Sequence, residues 1–363
     1  MQTFTETGAD GNILAGRRCD PTGEARAVLV VVHGMGEHSL RYAVTAEFFA
    51  DNGFVVYAYD HRGHGLSKLD GCDLGDLGEN GWTSLVSEIG VIVDHAVREN
   101  PDLPIVILGH SMGSFATQQY LLNNSDVPDA VILSGTAALD GLEPALNLDE
   151  GVDLSAFNAP FAPARTDFDW LSRDDAEVDK YVSDELCGFG IDAASGKAMF
   201  VGARPIGDAA VVGEMRSDLP VLVAVGEHDP VNGQLALANL LVAHYRNGGL
   251  TDVTLTTYPQ ARHEILNKPT VSRCAKTSWP GCGSAWRTPE VKPDMAAVTD
   301  VDIDGLACPG RSSSAPTTAG WPVTVSAGWS CCSRAASTVA LRAAVDHDSI
   351  RREVARSSRG RWR

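Results

Sequence analysis

The chain has 363 residues, 44% of them hydrophobic, which suits one large domain carrying an insertion better than two equal domains. Its formal charge of −18 is unevenly spread: residues 1–268 hold 16 Lys and Arg against 39 Asp and Glu, while the remainder holds 13 against 8. So acidic a body repels phosphate backbones and anionic headgroups, which argues against nucleic acid or a charged bilayer as the main partner.

No charged start followed by an apolar run opens the sequence, and no stretch approaches the roughly 20 apolar residues that span a bilayer, so a soluble cytoplasmic protein is expected. Residues 2–18 alternate weakly around Asp10-Gly11, a dipeptide that tolerates positive φ, and predict two antiparallel strands. Short β-branched runs follow at Ala27–Val32, Phe54–Tyr59, Ile105–Leu108, Ala130–Leu133, Val221–Val225 and Val253–Tyr258, with the length of strands buried on both faces. Helical patterns lie between several of them; Leu85, Ile89, Ile92, Val93 and Ala96 form one apolar stripe. Strand alternating with helix predicts an α/β fold with a mostly parallel central sheet and helices on both faces.

Residues 140–205 break this rhythm with Pro144, Pro160 and Pro163, many aspartates, and an apolar cluster of Phe157, Phe161, Phe168, Trp170 and Leu171. They read as a helical cap inserted between two core segments, 1–139 and 206–268. From Lys268 onward the composition shifts to Pro, Ser, Gly, Ala and Arg without sustained periodicity, and five of the eight cysteines fall there. Neither group of cysteines has metal-ligand spacing. Residues 269–363 are therefore expected to be disordered or a frame-shifted tail. With one base restored after the Asn267 codon, a plausible back-translation reads NEADREQVREDVVAWVRERL, an acidic residue followed by an amphipathic helix. A single lost base would account for the simultaneous change in charge, cysteine use and periodicity. Resequencing the gene at that codon tests it.

Acyl transfer needs a nucleophile, a base, an acid that orients the base, and donors for the oxyanion. Gly109-His110-Ser111-Met112-Gly113 follows a buried strand and precedes a helical pattern, the context of a nucleophile elbow centred on Ser111. The plain alternative is a serine that caps the next helix. His33-Gly34-Met35-Gly36 leaves the strand Ala27–Val32, from which the Met35 amide, together with that of Met112, can form an oxyanion hole; as a motif alone it could equally be a simple Gly-rich turn. Asp229 closes another buried strand at its carboxyl end and is the expected acid, with Glu227 as local competitor and a helix start at Asp229-Pro230 as the structural alternative. His263 follows the last strand and is the expected base; His95 and His244 lie in helical patterns and His347 in the tail. The order Ser, Asp, His is that of α/β-hydrolases. Asp60-His61-Arg62-Gly63-His64-Gly65-Leu66-Ser67 mixes metal- and phosphate-binding residue types but reads as a structural loop.

Together, His33 to His38 with Arg41-Tyr42, the Asp60–Ser67 loop, Gly109–Gly113 and Arg262 to Asn267 resemble the monoacylglycerol lipase and lysophospholipase branch of the α/β-hydrolases, often labelled serine aminopeptidase-like. The resemblance covers residues 2–267. It implies the α/β-hydrolase fold, a triad of Ser111, Asp229 and His263, oxyanion donors at Met35 and Met112, and a lid over 140–205 whose apolar face receives an acyl chain. Ser114 stands where the family usually has a second glycine, and the family's final helix is missing after Asn267. The expected activity is hydrolysis of a carboxylic ester, monoacylglycerol- or lysophospholipid-like, through an acyl-enzyme. No metal or organic cofactor is required, the partner is a small acyl ester, and membrane contact is at most transient and through the cap. An obligate protein partner is not expected. The alternatives are an aminopeptidase or amidase of the same fold, and an inactive or binding-only protein.

Overall fold

The computed structural model describes residues 1–145, 148 and 154–266. Strands β1 (Gln2–Thr7) and β2 (Ile13–Cys19) form the antiparallel N-terminal hairpin, with Asp10 at φ 56° in its turn. The core then alternates: β3 (Ala27–Val32), α1 (Ala43–Asp51), β4 (Phe54–Tyr59), α2 (Gly81–Glu99), β5 (Ile105–His110), α3 (Met112–Asn124) and β6 (Ala130–Ser134). After β6 come the short α4 (Leu139–Leu142), then α5 (Asp175–Ser183), α6 (Ala193–Ala203) and α7 (Ala209–Val212). The chain returns to the sheet with β7 (Val221–Gly226), α8 (Ala236–Asn247) and β8 (Val253–Tyr258).

The eight strands lie in the order β1-β2-β4-β3-β5-β6-β7-β8, antiparallel at β1–β2 and β2–β4 and parallel elsewhere. Period-two alternation sorts their side chains onto two faces. Val28, Val30 and Val32 join the core beneath α2, α3 and α8, whereas Ala27, Leu29 and Val31 pack with Ala46 and Phe49 of α1. Burial on both faces, expected of every core strand, fails at β8, which is partly exposed because it is the outermost strand of the described sheet and has one neighbour only. Three strands have the expected bounds; β5, β6 and β7 run one or two residues further, since pairing persists through Gly109 with Leu133 and His110 with Ser134 before the loops depart.

The described part of residues 140–205 is helical and contains no strand. Two of its aspartates have a specific use: Asp174 and Asp192 accept hydrogen bonds from the N–H groups of Ala176 and Ser195 at 3.0 and 2.8 Å, capping α5 and α6, and just beyond the segment Asp208 caps α7 through the Ala210 N–H at 2.9 Å. Each such cap is worth about 1 kcal/mol. Trp170 and Leu171 are buried against the core. The change of character expected from Lys268 onward, and the reading-frame account of it, fall outside the described residues.

Candidate active site

The order of the strands reverses between β3 and β5, so the loops leaving their carboxyl ends open a crevice, the usual ligand position in open α/β sheets. Ser111 sits at this point, between β5 and α3, with φ 52° and ψ −123°. Such a backbone conformation costs a residue other than glycine roughly 1–3 kcal/mol and persists only when its surroundings fix it. Here the Ser111 N–H donates to the Ser134 carbonyl at 2.9 Å, and its carbonyl accepts from the N–H groups of Ser114 and Phe115 at 2.8 and 3.1 Å. The Ser114 hydroxyl adds a bond to that carbonyl at 2.6 Å and one to Thr136 Oγ1 at 2.8 Å, which gives the departure from glycine a local role. A Cβ at Gly113 would collide with the carbonyl oxygens of Val32 and His33, so only glycine lets α3 start so close to β3. Ser111 does precede α3, but its side chain makes no capping bond.

Val32 pairs with Gly109, which brings the loop after β3 beside the elbow. A Cβ at Gly34 would lie 3.1 Å from that of Ser111, and Met35 lines the same cavity as Ser111. Met112 is the first residue of α3, where N–H groups have no partner within the helix. Glu37, to which the sequence reading gives no role, fixes this loop: it accepts from the Gly34 N–H at 2.6 Å and from the Tyr42 hydroxyl at 2.8 Å. Burial raises its carboxyl, but the Arg41 guanidinium, His110 and the bonds from Tyr42 and Gly34 together hold it below the usual range. Arg41 also forms a two-pronged pair with Glu264, at 2.7 and 3.1 Å.

Asp229 and His263 meet at the ends of β7 and β8: His263 Nδ1 donates to Asp229 Oδ2 at 3.0 Å, with both side chains buried. The other Asp229 oxygen accepts from the Val231 N–H at 2.9 Å, so this carboxylate starts the short helix at Pro230 while it pairs with His263. Glu227 turns to Thr257 instead, 3.3 Å away. Burial disfavours the charged His263 ring, yet the adjoining Asp229 carboxylate prevails and raises its pKa above the ordinary 6.5. Its Nε2 is buried without a hydrogen-bond partner. Gly135 (φ 54°), just past β6, leaves room for the ring; a Cβ there would lie 3.0 Å from His263 Cε1 and 2.9 Å from His110 Cε1.

Residues 169–172 hold the loop of His263 from the other side. The N–H groups of His263 and Glu264 donate to the carbonyls of Trp170 and Leu171 at 3.4 and 2.8 Å, and Arg262 donates to those of Asp169 and Ser172. The Trp170 ring lies 4.8 Å from that of His263. None of these partners had a sequence signal, because the residues are some 90 positions apart.

The Asp60–Ser67 loop is a structural loop, as expected. The Asp60 carboxylate accepts from the N–H groups of Ser39 and Leu66 at 2.8 and 2.9 Å, and buried Arg62 pairs with Glu88 at 2.7 Å and Asp10 at 2.9 Å. Among the described residues, His38, Asp184 and Cys187 bring their donor atoms within 4.8 Å of one another, close enough to hold a metal. Burial, however, pushes the Cys187 thiol up, away from the thiolate a metal needs, and His38 is already paired with Asp184 at 2.9 Å.

Comparison with known proteins agrees with this geometry. The family model described as serine aminopeptidase, S33, matches residues 23–270. The chain belongs to this family. It is 32% identical over 258 residues to a monoacylglycerol lipase of Mycolicibacterium smegmatis, covering 69% of this chain and 85% of the relative. It is 31% identical to the mouse monoglyceride lipase, covering 71% and 82%. Among solved structures, a thermostable carboxyl esterase from Bacillus coagulans superposes with a TM-score of 0.65 at 26% identity, over 73% of this chain and 92% of the esterase. The fold is that of the α/β-hydrolases, and the chain is an enzyme of the carboxylic ester hydrolase class. No helix among the described residues is long and apolar enough to cross a membrane.

Proposed function

We propose that the protein is a soluble, cytoplasmic serine hydrolase that cleaves monoacylglycerol- or lysophospholipid-like esters through an acyl-enzyme on Ser111. The observation that carries this reading is the buried Asp229–His263 pair, whose free Nε2 belongs to a ring lining the same cavity as Ser111. Ser111 Oγ attacks the ester carbonyl while His263 Nε2 takes its proton. The Met35 and Met112 amides hold the oxyanion, Asp229 stabilises the imidazolium, and the alcohol leaves with the proton from His263. Water, activated by the same imidazole, then releases the acid. This route needs neither metal nor organic cofactor, nucleic acid nor obligate protein partner.

The cavity is lined by apolar Leu154, Trp170 and Leu171 from residues 140–205 as well as by Glu37, Arg41 and Tyr181. That mixed lining supports an acyl chain under the cap, acting as a lid, and a small polar headgroup beside Arg41. An aminopeptidase would need a carboxylate to anchor the substrate's amino group, but the two carboxylates lining the cavity, Glu37 and Glu264, are both ion-paired with Arg41. This favours an ester.

A fluorophosphonate probe tests the reading. Wild-type protein is expected to label and to hydrolyse p-nitrophenyl esters. Ser111→Ala loses labelling and falls by about 10⁴-fold or more in kcat. Labelling that survives in Ser111→Ala would place the nucleophile elsewhere. Rates on monoacylglycerol and lysophospholipid of equal chain length then rank the headgroups.

A further inference from the structure

Three histidines outside the proposed triad, His33, His61 and His64, form one fully buried stack behind the loop that carries Met35. The His33 and His61 ring centroids are 4.2 Å apart, and His33 and His64 5.3 Å apart. The hydrogen bonds of His33 and His64 fix the protonation of those two rings. His33 Nδ1 faces the Gly34 carbonyl at 2.7 Å and must donate, while its Nε2 receives the His61 N–H at 3.0 Å and must accept. His64 Nδ1 donates to the Arg62 carbonyl at 3.0 Å, and its Nε2 accepts from the Gly36 N–H at 3.3 Å. His61 Nε2 donates to the His33 carbonyl at 3.1 Å, and its Nδ1 is buried without a partner. A ring that donates through one nitrogen and accepts through the other is a neutral imidazole of defined tautomer.

We infer that His33, His61 and His64 are positioning residues for the oxyanion hole, three neutral imidazoles that lock both glycines flanking Met35 to the Asp60–Ser67 loop. The inference rests on the reading of Met35 as an oxyanion donor. Its geometric basis is that the bonds at Gly34 and Gly36 bracket the Met35 peptide, so its N–H direction is set from both ends. Gly36 has φ 63°, and its amide is turned inward toward His64 Nε2 rather than to solvent. The Asp60–Ser67 loop is in turn anchored by Asp60 and by the buried Arg62–Glu88 pair, so the lock is tied to the core. The charged or titratable groups facing the stack are Asp60, Glu37, His38 and Arg41, and Phe189 of the inserted segment closes over His64 at 5.0 Å. Burial pushes His64 down to about 4 and the other two well below their usual range, in keeping with the neutral forms the bonds require. An oxyanion donor works only if it is already aimed at where charge will develop, and such aim is lost when the loop can turn.

The comparison of His64→Gln with His64→Asn isolates the acceptor. The glutamine amide oxygen reaches the place of Nε2, and the asparagine amide, one methylene shorter, reaches only the place of Nδ1. His64→Gln is expected to keep kcat within about threefold of wild type. His64→Asn should lose about 10- to 100-fold in kcat with KM within about twofold, because only the transition state uses the oxyanion donor. Fluorophosphonate labelling of Ser111 is followed in the same samples. A wild-type protein that does not label overturns the reading of the site itself. Labelled variants with equal kcat, whether both high or both low, overturn the inference and leave that reading intact. If His64→Asn does not fold, His33→Gln against His33→Asn makes the same comparison at the acceptor for His61. Failure of both asparagine variants to fold would assign the stack to stability alone and overturn the inference.

Discussion

The two loops that converge on Ser111 are held in different proportions by the core and by residues 140–205. Residues 33–38 are fastened within the core by Glu37, by His64 and by the contact of Gly113 with the backbone of Val32 and His33, and they have two further ties, from the Gly188 N–H to the Gly36 carbonyl at 2.9 Å and from His38 to Asp184. Residues 262–264 are fastened to the core chiefly through Asp229, and otherwise by backbone carbonyls of the inserted segment at 169–172. Ser111 and the proposed oxyanion donors therefore take most of their placement from the sheet. The proposed base depends more on residues 169–172, whose carbonyls hold residues 262–264. Arg41 spans both regions, through Glu37 and Glu264.

The largest effect is expected from the core tether of the base. Asp229→Asn leaves the fold but offers His263 the wrong partner for its Nδ1–H, and kcat should fall about 10⁴-fold. Glu227→Gln, two residues away and bonded to Thr257, should change kcat by less than about twofold. Steady-state kinetics on a p-nitrophenyl ester separate the two, and equal losses would break the assignment of Asp229.

A smaller effect isolates the tether to the insertion. Arg262→Gln removes the bonds to Asp169 and Ser172, as well as the guanidinium that lies 4.3 Å over the Phe161 ring. We expect kcat to drop about tenfold while thermal stability changes little, since a looser base is less often aligned. If kcat is untouched, the insertion does not help to place His263 and the contrast between the loops is lost.

The smallest effect is a pH shift, and the two regions differ in its sign. His263 must be neutral to act as a base, and Asp229 raises its pKa, so kcat/KM should rise with pH through a midpoint above 6.5. That same pair contributes stability below pH 6.5, which is lost as pH rises through the raised value. Burial depresses His33, His61, His64 and His110, so each contributes stability at neutral pH that is lost as pH falls below about 6.5, at up to about 1.4 kcal/mol per pH unit per ring. Urea titrations between pH 4 and 8 measure this, and a flat profile below pH 6.5 would mean that the rings are not neutral in the folded protein.

The strands were legible in the sequence because their signal is local: Ala27–Val32, Phe54–Tyr59 and Val253–Tyr258 have the bounds that β-branching and turn residues announce. Ser111, Asp229 and His263 were legible because each follows such a strand, and the topology then brings Asp229 and His263 within hydrogen-bond distance. The pairings that hold the site were not. Arg41 and Glu264 are 223 residues apart, and nothing in either neighbourhood marks the other. The aspartates of 140–205 mark a change of composition, but that Asp174 and Asp192 cap helices depends on where those helices begin. The Asp60–Ser67 loop was read as structural, and it is; that its His64 meets Gly36 requires two loops from adjacent strands to be folded together.

Gly135 adds a constraint of another kind. It bears no functional group, yet the space its missing side chain leaves is shared by the rings of His110 and His263. Every amino acid reachable from a glycine codon by one base change carries a Cβ, so each missense step at that codon pushes into the imidazole on which the proposed chemistry turns. A lineage that used this site could vary many surface positions around it and still find that one closed.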